Sequence, residues 1–156
     1  MIQRVQSIYL LIVTILMSFL VVLPYANMIL PGNQSLLFKS TAVYLVSPTD
    51  IISVYKSTIP VILLVLITGI FSFCIIFFYN HRVLQIRLIL LNLLLIFILT
   101  AIMVYLVTSS KGDFEGDKLI FRIAMVFPVV SMVFSLLAIR GIRHDEMLVN
   151  SYNRIR

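Results

Sequence analysis

Apolar residues in this chain come in long unbroken blocks separated by short polar stretches. Ile59 to Tyr79 is 21 residues without a charge, and Leu88 to Val107 is another 20. A helix needs about 20 such residues to cross the roughly 30 Å hydrocarbon core of a bilayer. The segment between them, residues 80–87, has length only for a helix-to-helix connection, so the pair predicts a hairpin that enters and leaves a membrane on one side. Similar blocks near the two ends complete the pattern. Together they predict spans at about residues 5–24, 59–79, 86–107 and 119–140. Outer loops then fall at 25–58 and 108–118, a cytoplasmic turn at 80–85 and a cytoplasmic tail at 141–156. The fold class this implies is an all-α membrane protein: a four transmembrane-helix bundle with a small extracytoplasmic loop region and an amphipathic C-terminal tail.

Small and polar residues inside the blocks predict how the spans pack. Ser7, Thr14 and Ser18 recur at seven and four, on one helix face, which predicts an internal face. Thr68, Gly69 and Ser72 form a patch suited to close helix contact. Asn92 is the strongly polar residue of the third block, and an amide exposed to hydrocarbon is costly, so it is expected to face inward and bond a neighbouring helix. Pro60 sits in the first turn of its span, where a missing N–H does no harm. Pro128 is expected to kink the fourth span, with Ser131 and Ser135 on one face. Arg122 is placed one turn inside the outer end of that span, either snorkelling to the interface or paired with an outer-loop acid or a partner subunit.

The 25–58 loop carries turn signals at Pro31-Gly32-Asn33 and Ser47-Pro48-Thr49-Asp50. Residues 36–38 and 41–46 are apolar and rich in β-branched and aromatic side chains, predicting short strands in a small hairpin or ribbon over the helix ends. Asp50 to Tyr55 reads as a short interfacial helix, and Tyr25, Tyr44 and Tyr55 suit headgroup depth. The loop is too apolar for a free linker. In the 108–118 loop, Asp113, Glu115 and Asp117 alternate, but the spacing fails the calcium-loop pattern, and a solvated hairpin loop is expected. In the tail, Leu148, Tyr152 and Ile155 fall at helical spacing, for the membrane surface, the central basic turn or a partner.

Composition sharpens the class. The 156 residues are 62% hydrophobic and 12% charged, against about 45–50% and about 25% in soluble domains, leaving too little chain for a separate soluble domain. The first block is basic and then apolar like a signal peptide, but Pro24 stands where a small residue is wanted for cleavage, so an uncleaved helix is expected. Net charge is +6, yet the basic residues are scattered over helix ends and the tail, which excludes a nucleic-acid groove. Alternating the spans puts Arg4, Arg82, Arg87, Arg140, Arg143, Arg154 and Arg156 on one side. Lys39, Lys56, Lys111 and Lys118 lie on the other, offset by Asp50, Asp113, Glu115 and Asp117. The positive-inside rule then predicts cytoplasmic termini and a cytoplasmic central turn.

The two ends of the chain carry a resemblance. The start, Met1-Ile2-Gln3-Arg4-Val5-Gln6-Ser7-Ile8-Tyr9-Leu10, is followed at the far end by Leu137-Ala138-Ile139-Arg140-Gly141-Ile142-Arg143, Asp145-Glu146, Ser151, Arg154 and Arg156. This pattern resembles a family of small four-span inner-membrane proteins of Bacteroidota whose function is unknown. The resemblance covers the full length and implies an uncleaved first helix and a cytoplasmic tail. It implies no activity and no residue roles.

No catalytic set falls in the spans: Ser-His, HExxH and paired-carboxylate arrangements are missing, and neither a cofactor motif nor a metal-ligand spacing is found. Cys74 is the single cysteine and reads as a small packing residue; His81 and His144 lie at cytoplasmic helix ends. The function expected is therefore a non-enzymatic accessory or structural subunit of a larger inner-membrane complex, such as an export or envelope-assembly machine. Its partners would be the bilayer and other membrane subunits. Candidate partner or lipid contacts are Arg4, Arg82, Arg87, Arg122, Arg140, Arg143, Asp145, Glu146 and Arg154, with Asn92 as an interhelical polar contact. The alternative is a homo-oligomeric channel or small-solute transporter, which usually needs an acid, histidine or lysine within the bilayer; no span here holds one.

Overall fold

A computed structural model describes residues 3–30, 34–46, 52–78, 81–113 and 118–154, with side chains for 6–30, 34–46, 53–78, 81–110 and 118–144. In chain order the elements are α1 (Gln3–Val22), β1 (Ala26–Leu30), β2 (Gln34–Phe38), β3 (Ala42–Val46), β4 (Ile52–Ser57), α2 (Ile59–Ile76), α3 (Arg82–Asp113) and β5 (Leu119–Phe121). A 3-10 turn, Ile123–Val126, then leads into α4 (Phe127–Arg154). Among the described residues three stretches are long and apolar enough to cross a membrane: Ile59–Ile76, Arg82–Ser110 and Ile123–His144; the apolar run in α1, Gln6–Val22, is shorter.

α1 packs against α2 and α4, and α3 packs against the same two helices. Most of the buried helix positions follow one rule. They include Gln6, Leu10, Val13, Met17 and Leu20 on α1; Val61, Val65, Thr68, Ser72 and Ile75 on α2. On α3 they include Gln85, Ile89, Asn92, Ile96, Leu99 and Met103, and on α4 Ser131, Ser135, Ala138 and Ile142. Steps of four and three alternate on every helix, the 3.5-residue repeat that keeps one seam facing a neighbour. The internal face of α1 is thus the Gln6–Leu20 row. This corrects the hydroxyl face: Thr14 is half-buried and Ser18 exposed, each donating back to its own helix, at the Leu10 and Thr14 carbonyls.

The all-α expectation is corrected by a five-stranded antiparallel sheet in the order β4-β3-β2-β1-β5. Its first four strands occupy the 25–58 loop, where short strands were expected. Both helix-joining ends of that meander, and the α3–β5–α4 passage, attach to the same ends of the helices, so the sheet caps one end. One face alternates inward: Ala26, Met28 and Leu30 of β1 and Leu36 and Phe38 of β2 join the core formed with Leu20, Val61, Val107 and Ala124. Ser40, after β2, donates to the Leu20 carbonyl at 2.6 Å, filling one of the four carbonyls a helix leaves open at its C-terminus. Thr58, before α2, donates to the Lys39 and Ser40 carbonyls at 3.2 and 3.0 Å. The β2–β3 turn is thereby tied to both α1 and α2.

Several local expectations change. The 50–55 segment is no helix where described; Ile52–Ser57 is β4, paired with β3. Tyr25 is fully buried under the sheet rather than at a surface, while Tyr44 is half-buried and Tyr55 exposed. α3 runs on to Asp113, so residues 108–113 are helix and not loop. Leu119–Phe121 is a strand, bonded to β1 in the register Ala26↔Phe121 to Met28↔Leu119, so the helix starts later than residue 119. Pro128 is the second residue of α4 and opens the helix in place of kinking it, as Pro60 does for α2. Arg122 lies outside any α-helix, exposed, in extended backbone (φ −98°, ψ 162°), its N–H bonded to the Tyr25 carbonyl at 3.0 Å. The 141–154 part of the tail continues α4 without a break. The turn signals at 31–33 and 47–50, the acids at 115 and 117 and the side chains of Leu148, Tyr152 and Ile155 lie outside the described residues.

Candidate functional site

Two apolar clusters fill the helices. One, at the sheet end, includes Val13, Val65, Ile96 and Ala124; the other, at the far end, includes Leu10, Ile75, Ile89 and Ala138. Between these levels, among the described residues, every buried polar side chain of α2 and α4 occurs, with the expected Asn92 of α3: Thr68, Ser72, Asn92, Ser131 and Ser135. A polar layer therefore separates the two clusters. Ser72 donates to the Leu10 carbonyl of α1 at 3.4 Å. Thr68 donates to Leu64 and Val65 of its own helix, and Ser135 to the Ser131 carbonyl at 2.8 Å. Asn92 does face inward, fully buried, but neither its Oδ1 nor its Nδ2 has a hydrogen-bond partner, and the Ser131 Oγ lacks one as well. The interhelical bond expected of Asn92 is thus not made. Gly69 lies against α1 at this level: a Cβ there would stand 3.4 Å from the Met17 Cβ.

The far end carries the arginines. Arg82 and Arg87 lie on the first turns of α3, half-buried and exposed respectively; Arg140 and Arg143, both exposed, lie on α4. Two clefts open beside them. One of about 690 Å³ is lined by His81, Arg82, Val83, Leu84, Arg87 and Leu88. The other, about 340 Å³, lies between α3 and α4 below Arg140 and Arg143. Beneath the arginines two amides are buried that the sequence pattern did not single out. Gln85 donates to the Ile75 carbonyl at 3.4 Å, closing the α2–α3 hairpin. Gln6 lies against Gly141, whose absent side chain leaves room for it: a Cβ there would stand 3.2 Å from the Gln6 Cγ. The seven-residue spacing of Gln85 and Asn92 is the signal that marks this seam. The side chains of Arg4, Asp145, Glu146 and Arg154 lie outside the described residues.

The sheet end carries two further features. β4 is an outer strand, and Ser53, Val54, Tyr55, Lys56 and Ser57 are exposed on both faces. Val43 pairs with Lys56 but Tyr44 with Val54, so Tyr55 is the extra residue of a β-bulge. On the opposite border, Phe121 and Ile123 are 58% and 75% exposed, next to Arg122. Burial pushes the Tyr25 phenol well above its ordinary value, and the hydroxyl has no partner. Arg122 stands apart from Arg82, Arg87, Arg140 and Arg143, at the sheet end, so the sequence-predicted contacts divide between the two ends. Cys74 is on the exposed face of α2, not in the packed seam. Among the described residues no group of three His, Cys, Asp or Glu side chains is placed to hold a metal.

Comparison with curated proteins finds no match. A family model described as a domain of unknown function matches residues 2–155, nearly the whole chain, in line with a resemblance that covered the full length. The chain therefore belongs to the DUF4293 family.

Proposed function

We propose that this is a non-enzymatic four-span protein of a bacterial inner membrane that acts as an accessory subunit of a larger membrane complex. The observation that carries this reading is β4. An outer strand leaves a row of backbone N–H and C=O groups to be paired, which is a template for adding a strand from another chain. Here the strand is exposed on both faces, outside the helices, with Val54 61% exposed. The bulge at Tyr55 and the charge of Lys56 oppose indiscriminate pairing, as such devices do on other outer strands, and so favour a matched partner. The fourth span is α1: its 20 residues rise about 30 Å, the thickness of the hydrocarbon core. The arginine end is cytoplasmic by the positive-inside rule, and the sheet extracytoplasmic.

The test is purification of the tagged protein from native membranes in mild detergent, followed by identification of what accompanies it. A stoichiometric membrane partner is expected, and Val54→Pro, which removes a backbone donor from β4, is expected to weaken its retention. Partner retention unchanged by Val54→Pro moves the contact elsewhere. A second reading, a homo-oligomeric channel or small-solute transporter, is favoured by the unpartnered amide of Asn92 at the polar layer. A clean homo-oligomer whose reconstituted form passes solutes, with flux lost in Asn92→Leu, replaces the first reading with the second.

A further inference from the structure

We propose that the α3–α4 flank at the arginine end binds one anionic glycerophospholipid, its phosphate on Arg140 and Arg143 and an acyl chain in the cleft beside them. The proposal rests on α3 and α4 crossing a bilayer and is independent of any protein partner. The cleft of about 340 Å³ is walled by Leu90 of α3 and by Val133, Leu136 and Leu137 of α4, and it ends at the two arginines. Leu90, Val133 and Leu136 are about half exposed, so the cleft opens outward, away from the packed seam. Its walls are aliphatic, suited to a hydrocarbon chain and to nothing that needs a hydrogen bond. Arg140 and Arg143 are three positions apart, on one face of the helix.

Length selects the occupant. From Val133 to Arg143 is ten positions, about 15 Å along the helix axis. That is half of the roughly 30 Å hydrocarbon core, the depth of a single leaflet. With the guanidinium groups at headgroup level, the cleft beneath them covers the acyl region of that leaflet and no more. Charge selects the headgroup. A guanidinium presents paired donors that match two phosphate oxygens. Arg87 is three positions before Leu90 and so on the same face of α3, adding a third positive charge to the flank. A headgroup that carries its own ammonium would bring a fourth cation into this group, so a headgroup of net negative charge is preferred.

Native mass spectrometry of the full-length protein, released from lipid discs holding equal phosphatidylglycerol and phosphatidylcholine, tests the site. The expected result is one retained phosphatidylglycerol per chain. Retention should fall about tenfold in Arg140→Gln/Arg143→Gln and stay unchanged in Arg122→Gln, the arginine at the other end. Val133→Phe fills the cleft from an exposed position without touching the packed seam, and should also lower retention with both arginines intact. Equal retention of the two lipids, or retention indifferent to both variants, overturns the proposal. So does displacement of the lipid by glycerol phosphate alone, which would make the site one for a free phosphate. Protection of Leu136→Cys from labelling by a co-purified protein, with no lipid retained, gives the flank to a protein helix and overturns it too. A chain that fails to enter the discs overturns the membrane reading along with the site, whereas an inserted chain without lipid preference overturns the site alone.

Discussion

Asn92 has its whole side chain inside the helices, yet both ends of its amide are without a partner. A buried polar group left unpaired costs about 1–3 kcal/mol, while an apolar group of similar shape costs nothing of the kind. Asn92→Leu is therefore expected to stabilise the protein by about 1–3 kcal/mol in detergent, read from the helical signal on heating or on titration with a denaturing detergent. Tyr25 poses the same question under the sheet. Its hydroxyl is unpartnered, so Tyr25→Phe is expected to be neutral or to stabilise by about 1 kcal/mol at neutral pH. Its titration adds a signature. An exposed phenol ionises near about pH 10, and burial raises that value in the folded chain. Above about pH 10 the unfolded state gives up its proton while the folded state keeps it, so stability falls as pH rises; below that both are neutral and the slope vanishes. Melting curves between about pH 8 and 11 should show a shallower alkaline loss in Tyr25→Phe than in the parent.

At the scale of the element, what the sequence exposes depends on which solvent a helix faces. The apolar blocks of α2 and α3 are legible because a membrane-facing helix is apolar on its outside as well as its inside. That same uniformity hides the seam, since no polar face stands opposite it. The periodic signal passes instead to the few small or polar residues, such as Thr68 and Ser72, Gln85 and Asn92, or Ser131 and Ser135, whose four- and seven-residue steps mark the packed face. Ser7, Thr14 and Ser18 share the right spacing but lie beside the seam, because back-bonding to their own helix satisfies the hydroxyl on Thr14 and Ser18 without a neighbour. β5 was not legible for a related reason: three apolar residues next to an apolar span carry no period of their own, and only pairing with β1 makes them a strand. The α1–α2 seam offers a direct test. Gly69→Ala adds a Cβ 3.4 Å from that of Met17, an ordinary contact, and should be tolerated. Gly69→Leu sends further carbons into α1, and overpacking of this kind costs about 1–3 kcal/mol, visible as a lowered melting temperature in detergent beside an unchanged Gly69→Ala.

The whole molecule has two unlike ends, and the side of the membrane assigned to each follows from that difference. All four junctions between helices and strands fall at one end, so the sheet, Lys56 and Arg122 are together there, while Arg82, Arg87, Arg140 and Arg143 are at the other. Of the arginines whose side chains are described, the sheet end holds Arg122 and the other end holds Arg82, Arg87, Arg140 and Arg143, the kind of asymmetry from which the positive-inside rule assigns sides. Single-thiol labelling converts this into a measurement. Cys74→Ser removes the native thiol, and one cysteine is then introduced at Val54 of β4 or at His144 of α4, both exposed. In spheroplasts, a membrane-impermeant maleimide is expected to label Val54→Cys and to leave His144→Cys untouched until the membrane is opened. The reversed pattern would put the arginine end outside, and with it the lipid site and the strand-pairing surface would exchange compartments. Labelling of both positions from one side would mean an even number of crossings between them, which the three long apolar helices α2, α3 and α4 that separate Val54 from His144 argue against.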